Sequence, residues 1–435
     1  MPVFRTVRGM RDFPPEEAEL LRYVEEKTGR IAQLYGYKEI ITPIVESYKL
    51  LAAKAGEEVR SRMYTFKDLG GRKVALRPEF TASVARLVAT TLRNEPKPLR
   101  LFCRGSLYRY DEPQQGRFRE FWQSNYELMG SSKPEADAEI IMVTDSLMKA
   151  VGLRNRVFKV GHVGVLRGIL RQENVEEKVQ NGTMQLMDKK QYDDALKLVE
   201  EAGTSKNCLA TLRKLVKIRG SNVSEVLNEV EKNVEDYEIA VKAVRNLREI
   251  LELVSESREK LSVVVEAGFA RGLEYYTGMI FEVYVPDMDI ALGGGGRYDK
   301  LIELFGGEPT PAVGVAHGID RITLAMQKQK TLLRTEKKKK VMVIPIKEAL
   351  KRDALKISQM LRDEDIPVEV EVMGRKVTKA LEDADRRKMD YAIIVGEREL
   401  KEGTVVIRNL KKREQKTVEI ERIIETIKAH HSLNH

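Results

Sequence analysis

The clearest periodic signal in the chain follows the paired prolines Pro14-Pro15. Leu21, Val24, Thr28, Ile31 and Leu34 recur at steps of three and four, which predicts an amphipathic helix with one buried face. The chain then turns at Tyr35-Gly36-Tyr37 and enters the β-like run EIITPIVES. Pro43 within that run has no N–H to give to a ladder, so an edge, a bulge or an interface position is expected. Between Leu99 and Met129, LRLFCRGSLYRY and EFWQSNYELM read as two long antiparallel strands. The polar DEPQQGRFR between them, with its Pro and Gly, is their hairpin loop.

From about Val165 to Val254 the pattern changes. Lys, Glu, Leu and Val dominate, and Ala240, Val244, Leu247, Leu251 and Val254 keep helical spacing, which predicts an inserted helical domain. Strand character returns at LSVVVEAGF and TGMIFEVYVP, followed by the glycine cluster GGGGRYD and then PAVGVAHGIDRITLAM, a short strand leading into a helix. KTLLRTEKKKK is a solvated linker. Beyond it, VMVIPI, a helix around Ala349–Arg362, PVEVEVM, a helix around Thr378–Arg387 and YAIIVG alternate in α/β order with parallel strands. A hairpin around GTVVIRNLKKREQKTVEI and a last helix complete a domain of ordinary size. The predicted division is residues 1–164, an insertion at 165–257, a return at 258–330, a linker at 331–340 and a terminal α/β domain at 341–435.

Composition narrows the class without naming it. The 435 residues suffice for two or three domains, and 42% hydrophobic content favours a globular chain. No apolar run is long enough to span a bilayer, and the start MPVFRTVRGMRDFPP lacks the apolar stretch of a secretory signal, so a cytoplasmic location is expected. Cys103 and Cys208 are far apart and suggest neither a disulfide framework nor zinc; Cys103 in LRLFC reads as a reduced core residue. The net charge of +9 suits a polyanionic partner. His430, His431 and His435 lie at the tail, and His162 and His317 are isolated, which disfavours zinc or histidine acid–base chemistry.

Three stretches together resemble the motifs of class II aminoacyl-tRNA synthetases. YGYKEIITPIVES is similar to the first, with Pro43; FCRGSLYRYDEPQQGRFREFWQ to the second, with Arg109; and GVAHGIDRI to the third, with Arg321. ARGLEYYTG, GGGGRYDKL and RPEFTA resemble segments of the histidyl-tRNA synthetase family. The resemblance covers nearly the whole chain. It implies an α+β fold: an antiparallel catalytic sheet flanked by helices, an inserted helical domain, and a C-terminal α/β anticodon-binding domain. It further implies a homodimer that activates histidine with ATP and Mg²⁺ and transfers it to the 3′ end of tRNA(His). Glu274 stands where the family often has aspartate, Phe80 replaces a smaller residue, and His317 sits where an apolar residue is frequent.

That chemistry brings a carboxylate to a phosphate, so it needs positioning and positive charge more than a covalent intermediate. Arginine suits it, with a permanent charge and a planar fork that grips phosphate. By resemblance, Arg109 contacts the α-phosphate, Arg117 the outer phosphates and Arg321 the nucleotide from the other side, with Asp111 nearby. Arg271 approaches both the histidine carboxylate and the α-phosphate. The same resemblance implies that Glu79 holds the ammonium and that Glu127, Tyr275 and Tyr276, with Gln123 and Thr81 nearby, fix the imidazole. No side chain is assigned to a metal. Strand alternation puts Tyr275 and Tyr276 on opposite faces, and the resemblance favours Tyr276 as the inward one. Gln114 and Gln115 on the hairpin loop are placed to touch the tRNA acceptor end.

Taken alone, Arg104, Arg109, Arg117 and Arg119 read as surface charges on a hairpin. The glycine cluster lacks the βαβ context of a dinucleotide site; close approach of backbone to a ligand accounts for it better than a plain turn. The rival function is a synthetase-like regulatory subunit that senses histidine without ligating it. Such paralogues lack the terminal domain and catalytic arginines, all of which are present here. A sister synthetase for proline, threonine or glycine fits ARGLEYYTG and GGGGRYDKL poorly.

Overall fold

A computed structural model describes residues 4–53, 55–257, 261–271, 274–286, 288–331 and 339–429. The charged run expected as a linker and the three tail histidines lie largely outside those residues. The chain divides into two compact units, Met1–Leu333 and Arg334–His435.

The first helix, Pro15–Leu34, starts with Pro15, whose missing N–H has no partner to lose there, and with Glu16 and Glu17 facing the positive end of the helix dipole. Leu21, Val24, Thr28 and Ile31 are buried as the spacing predicts, but Leu34 is 63% exposed. The helix ends at this residue, and Ala32 turns inward instead. Pro43 splits the run that follows. Lys38–Glu39 pairs in parallel with the edge of the large sheet, while Val45–Ser47 joins a separate three-stranded sheet with Lys73–Leu76 and Thr65–Lys67.

The large sheet has nine strands. Its body is six antiparallel strands in the order Leu99–Tyr108, Glu120–Met129, Ala312–Gly318, Gly293–Arg297, Met279–Tyr284 and Val157–His162. The predicted hairpin is there, with Leu99 opposite Met129 and Tyr108 opposite Glu120. The glycine cluster is no turn: it is a fully buried strand at the middle of the sheet. Neighbouring backbones press too close for side chains, since a Cβ on Gly295 would lie 2.1 Å from the Gly314 carbonyl oxygen.

Six helices from Val163–Gln172 to Glu238–Ser257 form the predicted helical region. Their Leu166, Ile169, Val244 and Leu251 belong to the same apolar core as Phe158 and Phe281 of the sheet. Burying each such side chain contributes about 1.5–3 kcal/mol, so the insertion and the sheet stabilise one another. Cys103 and Cys208 are buried free thiols.

The second unit has the predicted α/β order. Val368–Val370, Val341–Pro345 and Tyr391–Val395 are parallel, and Thr404–Asn409 and Glu414–Glu419 extend the sheet antiparallel. Along strand Val341–Pro345, Val341 and Val343 pack toward helix Lys351–Asp363, while Met342 and Ile344 pack toward helix Val377–Arg386. A strand covered on both faces must be apolar at every position, which is why VMVIPI shows no polar alternation.

Candidate active site

The antiparallel strands, the hairpin loop and the turn before Met279 enclose a cleft of about 310 Å³. Arg109, Asp111, Arg117, Arg271 and Arg321 line it, as do Glu79, Thr81, Gln123, Glu127, Tyr275 and Tyr276. Residues spread over more than two hundred positions thus converge on one space. Gln114 and Gln115 do not line the cleft; they are exposed at the loop tip, where Gln114 and Arg117 exchange backbone hydrogen bonds of 3.0 and 2.9 Å.

The arginines arrive from three elements. Arg109 ends the first hairpin strand, its Nε donating to the Pro78 carbonyl at 2.9 Å and its guanidinium 5.4 Å from the Phe121 ring. Arg321 opens helix Ile319–Lys328 and donates to the carbonyls of Ala291 at 2.9 Å and Gly116 at 3.3 Å. Arg271 donates to the Phe281 carbonyl at 3.4 Å, with Glu282 at 3.9 Å. Burial lowers the Arg321 guanidinium to about 10, and repulsion from Arg109 and Arg117 adds to the effect. At Arg271 burial acts the same way, but Tyr276 and Glu282 outweigh it and the guanidinium is raised. Arg117 is the most exposed of the four, 3.8 Å from Asp111, whose other oxygen accepts from Arg62 at 2.9 Å. By contrast Arg119 stacks on Tyr110 and donates to the Asp111 carbonyl, and Arg104 pairs with Glu39; both hold the hairpin together, and Arg119 is buried where the plain reading of a charged hairpin expects a surface charge.

Glu127 holds the polar end of the cleft. Thr81 Oγ1 and Asn125 Nδ2 donate to its Oε1 at 2.9 and 3.2 Å, and the Tyr298 hydroxyl donates to Oε2. Burial pushes this carboxyl up to about 7. Glu79 accepts from the backbone N–H groups of Thr81 and Ala82, so it also caps helix Thr81–Ala89; burial raises it too.

Several expectations change. Tyr275 and Tyr276 lie in a turn, not a strand, so alternation does not apply; their rings are 4.9 Å apart and both line the cleft. The phenol bonded to Glu127 is Tyr298, which, like Asn125 and Glu282, was not among the predicted site residues. Its one signal was its place just after the glycine cluster. Glu274 points away, accepting from Gln185 at 3.3 Å. Phe80 is buried core, and His317 is buried with Nε2 3.0 Å from Thr144 Oγ1. His162 caps a helix through Nδ1. Burial depresses His317 to about 3 and His162 to about 4, so both rings are neutral.

Among the described residues no cluster of three or more His, Cys, Asp or Glu side chains is arranged to hold a metal. Mg²⁺ carried on phosphates needs only one or two carboxylates. Asp111 and Glu58 line the cleft, each paired with Arg62, and fit that limited role. No helix among the described residues is long and apolar enough to cross a membrane.

An antiparallel sheet whose cleft gathers arginines from a strand end, a hairpin loop and a following helix defines a class II aminoacyl-tRNA synthetase. Comparisons with known proteins refine this. Residues 9–322 match the family described as histidyl-tRNA synthetase, and residues 340–430 match the anticodon binding domain. A histidine–tRNA ligase of Methanocaldococcus jannaschii is 43% identical over 97% of this chain and 99% of its own. One of Pyrococcus furiosus is 39% identical over 97% and 98%. The crystal structure of a histidyl-tRNA synthetase from Nostoc sp. PCC 7120 shares the fold, with TM-score 0.80 and 24% identity over 99% of this chain and 100% of that one. The chain belongs to the histidyl-tRNA synthetase family.

Proposed function

We propose that the chain activates histidine with ATP and passes the histidyl group to the 3′ end of tRNA(His). The observation that carries this reading is the crowding of Arg109, Arg117, Arg271 and Arg321 around one cleft, to the point that they repel one another. Cations held together against repulsion are stabilised by a polyanion. In the first step a carboxylate oxygen of histidine attacks the α-phosphorus of ATP and the bond to pyrophosphate breaks. Arg271 orients both reacting anions, Arg109 takes the charge developing on the α-phosphate, and Arg117 and Arg321 hold the remaining phosphates. Mg²⁺ bound to ATP would neutralise further charge on the outer phosphates.

Glu79 takes the α-ammonium. Glu127, fixed by Thr81, Asn125 and Tyr298, takes an imidazole N–H, with Gln123, Tyr275 and Tyr276 as walls. A side chain without that N–H forfeits the bond to a carboxylate already held in place for it, a discrimination on the order of 10⁴-fold in favourable cases. In the second step the terminal tRNA hydroxyl attacks the activated carbonyl and AMP leaves, with Gln114 and Gln115 touching the acceptor end and the terminal domain reading unstacked anticodon bases. A homodimer in the cytoplasm completes the reading; the exposed Ile41, Ile44 and Val45 around Pro43 support a second copy covering that stretch.

Pyrophosphate exchange into ATP, run with each standard amino acid and no tRNA, tests the proposal. Exchange with histidine alone supports it. Histidine binding with no exchange would replace it with the sensing subunit, and a better substrate among the other amino acids would overturn the roles of Glu127 and Tyr298.

A further inference from the structure

The segment Arg8–Phe13, which no part of the reaction above uses, touches the hairpin loop and its flanks at four successive points. Arg8 bonds Glu112 at 2.8 Å. The Gly9 carbonyl accepts from the Arg119 N–H at 2.9 Å. The Arg11 guanidinium lies 3.5 Å from the centre of the Phe118 ring and forms an ion pair with Asp320. Phe13 packs edge-on against Trp122, with centroids 5.1 Å apart. Gly9 is the residue that allows this approach: its φ is +83°, and a Cβ there would meet Arg119 Cγ at 2.6 Å.

Asp320 links the segment to the other side of the cleft. It is buried, its Oδ2 accepts from the Trp122 N–H at 2.6 Å, and it directly precedes Arg321, which in turn donates to the Gly116 carbonyl on the loop. Arg11 therefore stands where the loop carrying Arg117 and the helix carrying Arg321 meet. A polar loop with Pro113 and Gly116 has little apolar surface of its own to order it. The four contacts supply that order from outside.

We propose that Arg8–Phe13 is a strap that holds the hairpin loop in its ATP-receiving arrangement, with Arg11 as the positioning residue for Arg117 and Arg321. This rests on the reading of the cleft as an ATP site. The strap lowers the ordering cost of nucleotide binding, which is a gain in affinity made without touching the ligand. A half-buried cation stacked on an aromatic face and paired with a buried carboxylate is worth enough that its loss weakens ATP binding by roughly tenfold.

Trp122 is the single tryptophan of the chain, so its emission reports on the strap. The test titrates ATP, without histidine, into the full-length protein and into Arg11→Ala and Arg11→Lys, with thermal midpoints measured alongside and KM values taken from exchange. The expected result is altered emission of Arg11→Ala before ATP is added, an ATP Kd and KM raised roughly tenfold, and an unchanged KM for histidine. Arg11→Lys, which keeps charge but not the planar stack, recovers part of the loss. Should Arg11→Ala fail to fold, Arg11→Lys and Phe118→Leu carry the same comparison. An ATP Kd equal to that of the unaltered protein overturns the strap, as does a parallel fall in ATP and histidine affinity. Failure of the unaltered protein to bind ATP would instead remove the reading of the cleft.

Discussion

The Tyr298 hydroxyl donates a hydrogen bond to Oε2 of Glu127 across an intervening strand. Glu127 is paired with Gly314 and Gly314 with Gly296, one residue from the end of the glycine strand. A Cβ on Gly314 would sit 1.7 Å from that same oxygen. The bare middle strand is what lets an acid and a phenol two strands apart meet.

Gly314→Ala is therefore expected to displace the Glu127 carboxylate and cost histidine recognition, raising KM for histidine roughly ten- to a hundredfold. KM for ATP should move much less. Exchange kinetics with each substrate varied in turn checks the split; equal effects on both would contradict the role given to Glu127.

Protonation of Glu127 couples stability to pH. Burial raises its carboxyl from 4.5 to about 7, so the folded state holds a proton that the unfolded chain has released. The resulting stabilisation is full below pH 4.5 and disappears as pH rises to about 7, a change of up to about 3 kcal/mol. Glu127→Gln removes this group, so its thermal midpoint should gain on that of the unaltered protein as pH rises through that window. A constant difference across the window would show that Glu127 does not titrate there.

Arg271 is held by a 3.4 Å bond to a carbonyl and a 3.9 Å ion pair. These direct contacts are long, so Arg271→Ala should stay folded while losing exchange activity by about 10²–10³-fold. Lysine at this position should restore little, since it lacks the planar fork. Circular dichroism melting beside the exchange assay separates loss of chemistry from loss of fold.

Two adjacent glycines should respond differently to alanine. At Gly295 the new Cβ meets the Gly314 carbonyl oxygen at 2.1 Å, backbone against backbone, so Gly295→Ala should destabilise by about 1–3 kcal/mol or more. At Gly294 it meets Nη1 of Arg271 at 2.1 Å, the far end of a side chain that can move. Gly294→Ala should therefore melt near the unaltered protein yet lose exchange. Denaturant midpoints and exchange rates on the pair would contradict this if the two substitutions behaved alike.

Much of this protein is determined locally and can be read along the chain. The spacing of Leu21, Val24, Thr28 and Ile31 defines the buried face of the first helix, the polar loop between two β-rich runs defines the hairpin, and the unbroken VMVIPI defines a strand covered on both faces. Those features depend on neighbours within a turn or a pleat, so the sequence contains their cause. The arginines and carboxylates of the cleft were legible for a related reason: their motifs lie on those elements. Tertiary structure alone decided the rest. Leu34 is exposed because the helix stops beside it, and Tyr275 and Tyr276 share one cleft because they occupy a turn and not a strand. Tyr298 reaches Glu127, 171 positions away, because two strand pairings carry it there across a glycine. The glycine cluster became the centre of the sheet because backbones packed against both its edges leave no room for a Cβ. Pairing across a sheet depends on register between distant segments, and no local pattern records which strand will lie beside which.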